Sequence, residues 1–122
     1  MDETETEIKS ILDSVKHALG VEEDTAAWDA DLVMFINAVF GTLYQLGVGP
    51  EQPFTISDNS AEWDEFTTRD DIEMVKSYMY LKVRLLFDPP TTTTMYQALD
   101  TSTKELEWRL NVAVDSGVQN GE

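Results

Sequence analysis

The segment from Asp70 to Pro90, DDIEMVKSYMYLKVRLLFDPP, contains the longest apolar run in the chain that no glycine or proline interrupts. At about 100° per residue its apolar side chains fall on two adjacent faces of a helix. The first face holds Ile72, Val75, Met79, Val83 and Leu86, and the second holds Met74, Tyr78, Leu81 and Leu85. A helix that is apolar around most of its circumference needs neighbours on several sides. The sequence therefore predicts that this helix is buried at the centre of the fold.

Part of the same segment also fits a strand, because residues 81–85, LKVRL, alternate apolar and charged side chains. Length favours the helix, since the eighteen residues from Asp70 to Phe87 contain no glycine or proline, which is long for a strand. Asp70 and Asp71 suit a helix start, where carboxylates can cap free amides. Pro89 disfavours helical geometry at the residue before it, so the helix should end there.

Length and composition narrow the class of protein. A chain of 122 residues is sufficient for one domain with one core. It has no cysteine, which excludes disulfides and thiolate metal sites and fits a reducing compartment. The N-terminal residues, MDETETEIKS, have no apolar signal core, so we expect no secreted precursor. No apolar run approaches the ~18 residues that span a bilayer, so we expect no membrane partner.

Apolar periodicity predicts three further main helices. The first covers residues 4–19, with a capping box from Thr4 to Glu7 and a stop at Gly20. The second runs from residues 27–29 to Leu46 and contains Gly41, which a close helix crossing would explain. The last runs from about Thr94 to Val114, and residues 115–122 form a tail.

Between the second helix and the central helix lies an irregular segment, residues 47–60, which reads GVGPEQPFTISDNS. Ser60 could cap a short helix that carries Trp63 and Phe66. The predicted fold is thus all-α: a small bundle of four main helices plus one short helix, with a long loop between helix 2 and the short helix.

A loop of this length in a small domain is more often functional than accidental. The loop and the tail lack reasons within one domain to be so long, so we predict that they contact other subunits or another protein. Trp63 and Phe66 have two interpretations, as a cover for the core or as subunit contacts. The candidate interface residues are Phe54, Ile56, Trp63, Phe66 and Val118.

Residue patterns for catalysis are missing from the sequence. The only histidine, His17, follows no nucleophile-elbow sequence, and no glycine-rich phosphate loop occurs. Glu62 and Glu65 have a spacing that suits a magnesium site, but no second acidic pair at like spacing follows on the later helices. We therefore expect no enzyme activity, no cofactor and no metal site.

The net charge is the strongest compositional signal, because 24 acidic residues stand against 8 basic ones and give a formal charge of −16. Such a chain is a poor general binder of nucleic acid or anionic membrane. Three interpretations remain open: solubility, a partner with a basic surface, or a surface that lies near nucleic acid without binding it.

Two segments resemble the head–tail connector proteins of tailed bacteriophages, also called adaptor or head-completion proteins. They are residues 76–90, KSYMYLKVRLLFDPP, and residues 105–111, ELEWRLN. Residues 43–49, LYQLGVG, followed by Pro50, are similar too, as are Leu19-Gly20, Ile36-Asn37 and Trp63 ahead of Phe66.

This resemblance implies a helical virion protein at the neck that forms a homo-oligomeric ring of about a dozen subunits. Such rings sit under the portal protein, extend the DNA channel, and offer a docking surface to the stopper or tail protein. The resemblance also implies no catalysis. DNA would pass without specific binding, because acids facing the bore repel phosphates. We expect these acids on the first two helices or the loop. The alternative is a monomeric or dimeric acidic interaction protein, either a DNA mimic or an inhibitor of a nucleic-acid enzyme.

Overall fold

The structure is a computed structural model that describes residues 8–67 and 71–120, with side chains through residue 114. In this part of the chain all named elements are helices: α1 (Ile11–Leu19), α2 (Asp29–Gln45), α3 (Trp63–Phe66), α4 (Ile72–Phe87) and α5 (Thr93–Asn120). The predicted all-α class, with four main helices and one short one, is confirmed. Among the described residues no helix combines the length and the apolar character required to cross a bilayer.

Helix α4 lies at the centre of the bundle and contacts α1, α2 and α5. Val75, Tyr78, Met79 and Val83 are completely buried. The buried helix predicted from the sequence is therefore confirmed, and a strand over residues 81–85 is excluded. Leu86 departs from the predicted face, because it is 49% exposed in the last turn of the helix.

Helix α1 begins at Ile11, later than predicted. Ser10 caps it by accepting a hydrogen bond from the Asp13 backbone N–H at 3.1 Å. Immediately before α1, Lys9 O accepts from Trp63 N, and Ile11 N donates to Ala61 O. This pairing with the segment ahead of α3 replaces the helical turn that the apolar period predicts from residue 8. The predicted capping box at Thr4 and Glu7 lies outside the described residues. The stop at Gly20, which has φ +82°, is confirmed.

Helix α2 begins within the predicted range and ends at Gln45, one residue before the predicted Leu46. Gly47, whose φ is +84°, follows the helix end as predicted. Its buried side belongs to the core and consists of Leu32, Ile36, Val39, Phe40 and Leu43. The helix crossing predicted at Gly41 is wrong for the described part of the protomer. Gly41 is exposed, and a Cβ placed there would meet no atom within 4 Å apart from its chain neighbours and the nearby backbone of its own helix.

Helix α3 begins differently from the prediction that Ser60 caps it. Glu62 is the N-cap, and its backbone N–H donates to the Glu65 carboxylate at 3.1 Å. The N–H and hydroxyl of Ser60 both donate to Asp58 Oδ1, which lowers the pKa of Asp58. Ser60 thus belongs to a local turn that precedes the N-cap of α3.

Helix α5 packs along α4 and buries Thr103 and Leu110. The Tyr78 hydroxyl donates to Glu107 at 2.6 Å, and burial together with this bond raises the pKa of Tyr78. The predicted end at Val114 is wrong, because the helical backbone continues through Asn120. Each residue that extends a helix adds one hydrogen bond and does not need an apolar face. The period of the apolar residues therefore predicted too early an end for α5.

The turn between α1 and α2 is organised around the buried ammonium group of Lys16, whose side chain is 1% exposed. Its Nζ donates to Glu23 O at 3.0 Å, Thr25 O at 2.7 Å and Asp29 Oδ1 at 2.9 Å. An ammonium group has three donors, and here each has an acceptor. The residues from 21 to 28 are therefore held in place without regular structure.

Replacing Lys16 by Met should lower the free energy of unfolding by about 2–4 kcal/mol. The substitution leaves two turn carbonyls and the Asp29 carboxylate without their donor. The matched control is Lys104→Met, because Lys104 is 73% exposed and forms one ion pair within a helix. Its effect should stay within about 0.5 kcal/mol. Urea unfolding measures both, and equal losses would contradict the role given to Lys16.

Candidate assembly surfaces

Four aromatic side chains from three parts of the chain form one cluster beneath the loop. Phe40 of α2 lies 4.8 Å from Phe66, 5.0 Å from Phe54 and 6.3 Å from Trp63, measured between ring centroids. Phe54 and Phe66 also meet edge to face at 5.4 Å. The Trp63 indole N–H donates to Ser14 Oγ on α1 at 2.8 Å. The cluster joins α1, α2, α3 and the loop into a single core.

The loop is also held by one side chain of α2. Asn37 donates to Ile56 O at 2.9 Å and accepts from Ile56 N at 2.8 Å. An amide side chain that bonds both backbone groups of a residue does what a neighbouring strand would do, so this stretch of loop needs no strand. An uncharged polar residue on a mostly apolar helix was the sequence signal for this contact.

The predicted interface residues belong largely to this core. Ile56, Trp63 and Phe66 are buried, and Phe54 is partly buried against them. Val118 lies in the part of α5 of which only the backbone is described. The packing agrees with the interpretation that Trp63 and Phe66 cover the core, while a role for these residues between subunits stays a prediction.

The outward side of α2 carries no charge from Met34 onward, although Asp31 is exposed one turn earlier and the polar Gln45 is exposed at the end of the helix. Met34 is 57% exposed, and Ala38, Gly41 and Tyr44 are exposed beside it. The sequence contains no acidic or basic residue from Leu32 to Pro50. A long uncharged surface stands out in a chain of net charge −16. We call residues Met34, Ala38, Gly41 and Tyr44 the α2 outer face.

A second exposed apolar surface lies on α5. Trp108 is 67% exposed and Val112 is 40% exposed, one turn apart, on the side away from the buried Leu110. We call Trp108 and Val112 the α5 outer face. Sequence reasoning passed over Trp108, although its position off the apolar stripe of the helix was a usable signal.

Charge is distributed unevenly along the chain. Residues 1–66 contain fifteen acidic and two basic residues, whereas residues 67–122 contain nine acidic and six basic residues. Three adjacent acids, Glu22, Glu23 and Asp24, are exposed in the turn between α1 and α2. Across residues 8–67 and 71–120 the structure has no cluster of three side chains suited to hold a metal ion.

Comparison with known proteins identifies a family. A family model described as "Phage connector protein" matches residues 11–117, which run from the first residue of α1 into the last turns of α5. The matched range contains both segments on which the sequence resemblance is based. No curated protein and no solved structure matches the chain.

Two glycines should respond in opposite directions to the same substitution. Gly49 has φ +100°, and a Cβ there would collide with the Phe66 ring, so Gly49→Ala should cost about 2–4 kcal/mol of stability. Gly41→Ala is the control, because this helical position is open. It should stabilise the protomer by up to about 1 kcal/mol. Thermal or urea unfolding measures both, and a shift of the same sign in the two variants would contradict this account.

Proposed function

The chain belongs to the phage connector protein family, whose members are structural proteins of the head–tail junction, and from this premise we propose that it forms a ring there. The ring would contain about a dozen copies and dock on the portal protein. It would extend the DNA channel toward the stopper or tail protein, which binds its other side.

The observation that carries this proposal is the extent of the family match. Residues 11–117 include all of α1 to α4 and most of α5, so the match concerns the whole bundle rather than a single helix. The exposed apolar faces of α2 and α5 support assembly, because large apolar patches on a small protein commonly mark contacts with other proteins.

The charge supports passage of DNA without binding. A ring multiplies the −16 of each subunit by the number of copies, and an acidic bore repels the phosphate backbone. The excess of acids lies in the first half of the chain, where three adjacent acids, Glu22, Glu23 and Asp24, are exposed in the turn between α1 and α2. We propose that this turn faces the channel.

The acidic inhibitor or DNA mimic is the competing function. It would use the same carboxylates to imitate phosphates, and it would act as a monomer or dimer on a nucleic-acid enzyme. The family match favours the connector, since it concerns the helical scaffold and not the number of acids.

A phage that lacks this chain should produce heads that contain DNA and carry no tails, because the tail has no junction on which to dock. Electron microscopy of the lysate measures the proportion of tailed particles. Supplying the unchanged chain from a plasmid should restore tails and infectivity. Tailed, infectious particles that form without the chain would overturn the proposed function.

Reversing the charge of the channel turn should slow the release of DNA. In particles that carry Glu22→Lys, Glu23→Lys and Asp24→Lys, three new cations per subunit would hold passing phosphates. The triple Gln variant is the control, since it removes charge without adding attraction and should have a smaller effect. Ejection kinetics triggered at low and high salt measure the difference. Equal kinetics in all three chains would show that this turn does not face DNA.

A further inference from the structure

The structure presents two helix faces without net charge that nothing in the described protomer covers. We propose that the α2 outer face of one copy packs against the α5 outer face of a second copy. The contact rests on the proposed ring and names the surfaces that would build it.

Gly41 is an exposed glycine inside helix α2. Glycine inside a helix lowers helix stability, and its usual benefit is that another backbone can approach closely. Apart from its chain neighbours and the nearby backbone of its own helix, no described atom lies within 4 Å of a Cβ placed at Gly41. Within the described part of the protomer, no close contact at Gly41 offsets this loss of helix stability. A helix of another copy that crosses α2 closely at Gly41 would provide contacts that offset the lost helix stability.

The absence of charge limits what can cover the α2 outer face. The α2 outer face lies in a stretch of nineteen residues, from Leu32 to Pro50, without an acidic or basic side chain. Such a face has no groups for phosphates or for a basic partner, and it can lose water at low cost against another apolar surface. Its occupant should therefore be an uncharged apolar helix face.

The α5 outer face has the properties required of that occupant. Trp108 is the most exposed of the large apolar side chains described, and tryptophan is enriched among residues that dominate binding energy. The charges beside it are paired within the helix, with Lys104 to Asp100 at 3.1 Å and Arg109 to Glu105 at 2.8 Å. The α5 outer face is thus an apolar ridge, and the charges beside it cancel one another.

Orientation makes the partner a second copy in a head-to-tail arrangement. Helices α2 and α5 both pack on α4, and each turns its outer face away from α4. Both faces point outward from the same bundle, so the α2 outer face of one chain cannot pack against the α5 outer face of that same chain. A contact between two different patches leaves one free patch at each end, so it repeats from copy to copy and can close into a ring.

The absence of cysteine in the chain allows a direct test by cross-linking. Particles are produced with a chain that carries both Ala38→Cys and Val112→Cys, then treated with a short bismaleimide and analysed on a denaturing gel. We expect a ladder of multimers. The matched control pairs Val112→Cys with Ser77→Cys, an exposed position on α4, and should give no ladder. Particles that contain the chain but show no ladder with the first pair would overturn this contact and leave the proposed function standing. Tailed particles that lack the chain would overturn both.

A second variant tests the same contact without a cross-linker. Gly41→Leu should fold at least as stably as the unchanged chain, because the position is open in the protomer, yet block the close approach of α5. Infectious titre should fall at least about tenfold, the effect of losing a modest share of contact energy. Ser77→Leu adds the same side chain to an exposed position of α4 and should leave the titre unchanged. An unchanged titre for a well-folded Gly41→Leu chain would contradict the proposed contact.

Discussion

The burial of α4 is the constraint on which the rest of the structure depends. Val75, Tyr78, Met79 and Val83 have no exposed surface, and each apolar side chain of this size contributes about 1.5–3 kcal/mol when fully buried. One neighbouring helix cannot cover so much of the circumference, so α1, α2 and α5 must all pack on α4. That arrangement determines which sides of α2 and α5 face inward. It therefore also determines which sides remain for other molecules.

Long-range polar contacts hold the segments that apolar packing leaves undefined. Lys16 fixes the turn before α2, Asn37 fixes the loop at Ile56, and Glu107 joins α5 to Tyr78 of α4. In each case a side chain satisfies a group that would otherwise lose its hydrogen bonds to water on burial. The loop can thus be irregular and still ordered, which removes the need to explain its length by contacts with other subunits alone.

The sequence alone was sufficient to predict the features of the fold that depend on local residue pattern. The period of 3.6 residues and the breakers at Gly20, Gly47 and Pro89 gave the number of helices and most of their ends. The starts of α1 and α3 were wrong, because the choice of cap depends on the pairing of residues 9–11 with residues 61–63, fifty positions apart. The contacts of Lys16 and Asn37 were missed for the same reason. Trp108 was visible as an apolar residue off the stripe, but its exposure follows from the way α5 lies on α4.

Net charge and the uncharged faces act together on assembly. Two copies that each carry −16 repel each other over roughly the Debye length, about 8 Å at physiological salt, in most relative orientations. Repulsion is weakest where both approaching surfaces lack net charge, and the α2 and α5 outer faces meet that condition. Electrostatics would then select the orientation, while burial of Trp108 and Met34 would supply the attraction. In the proposed ring the acids would oppose incorrect contacts between copies, and they would keep DNA from binding to the surface that remains.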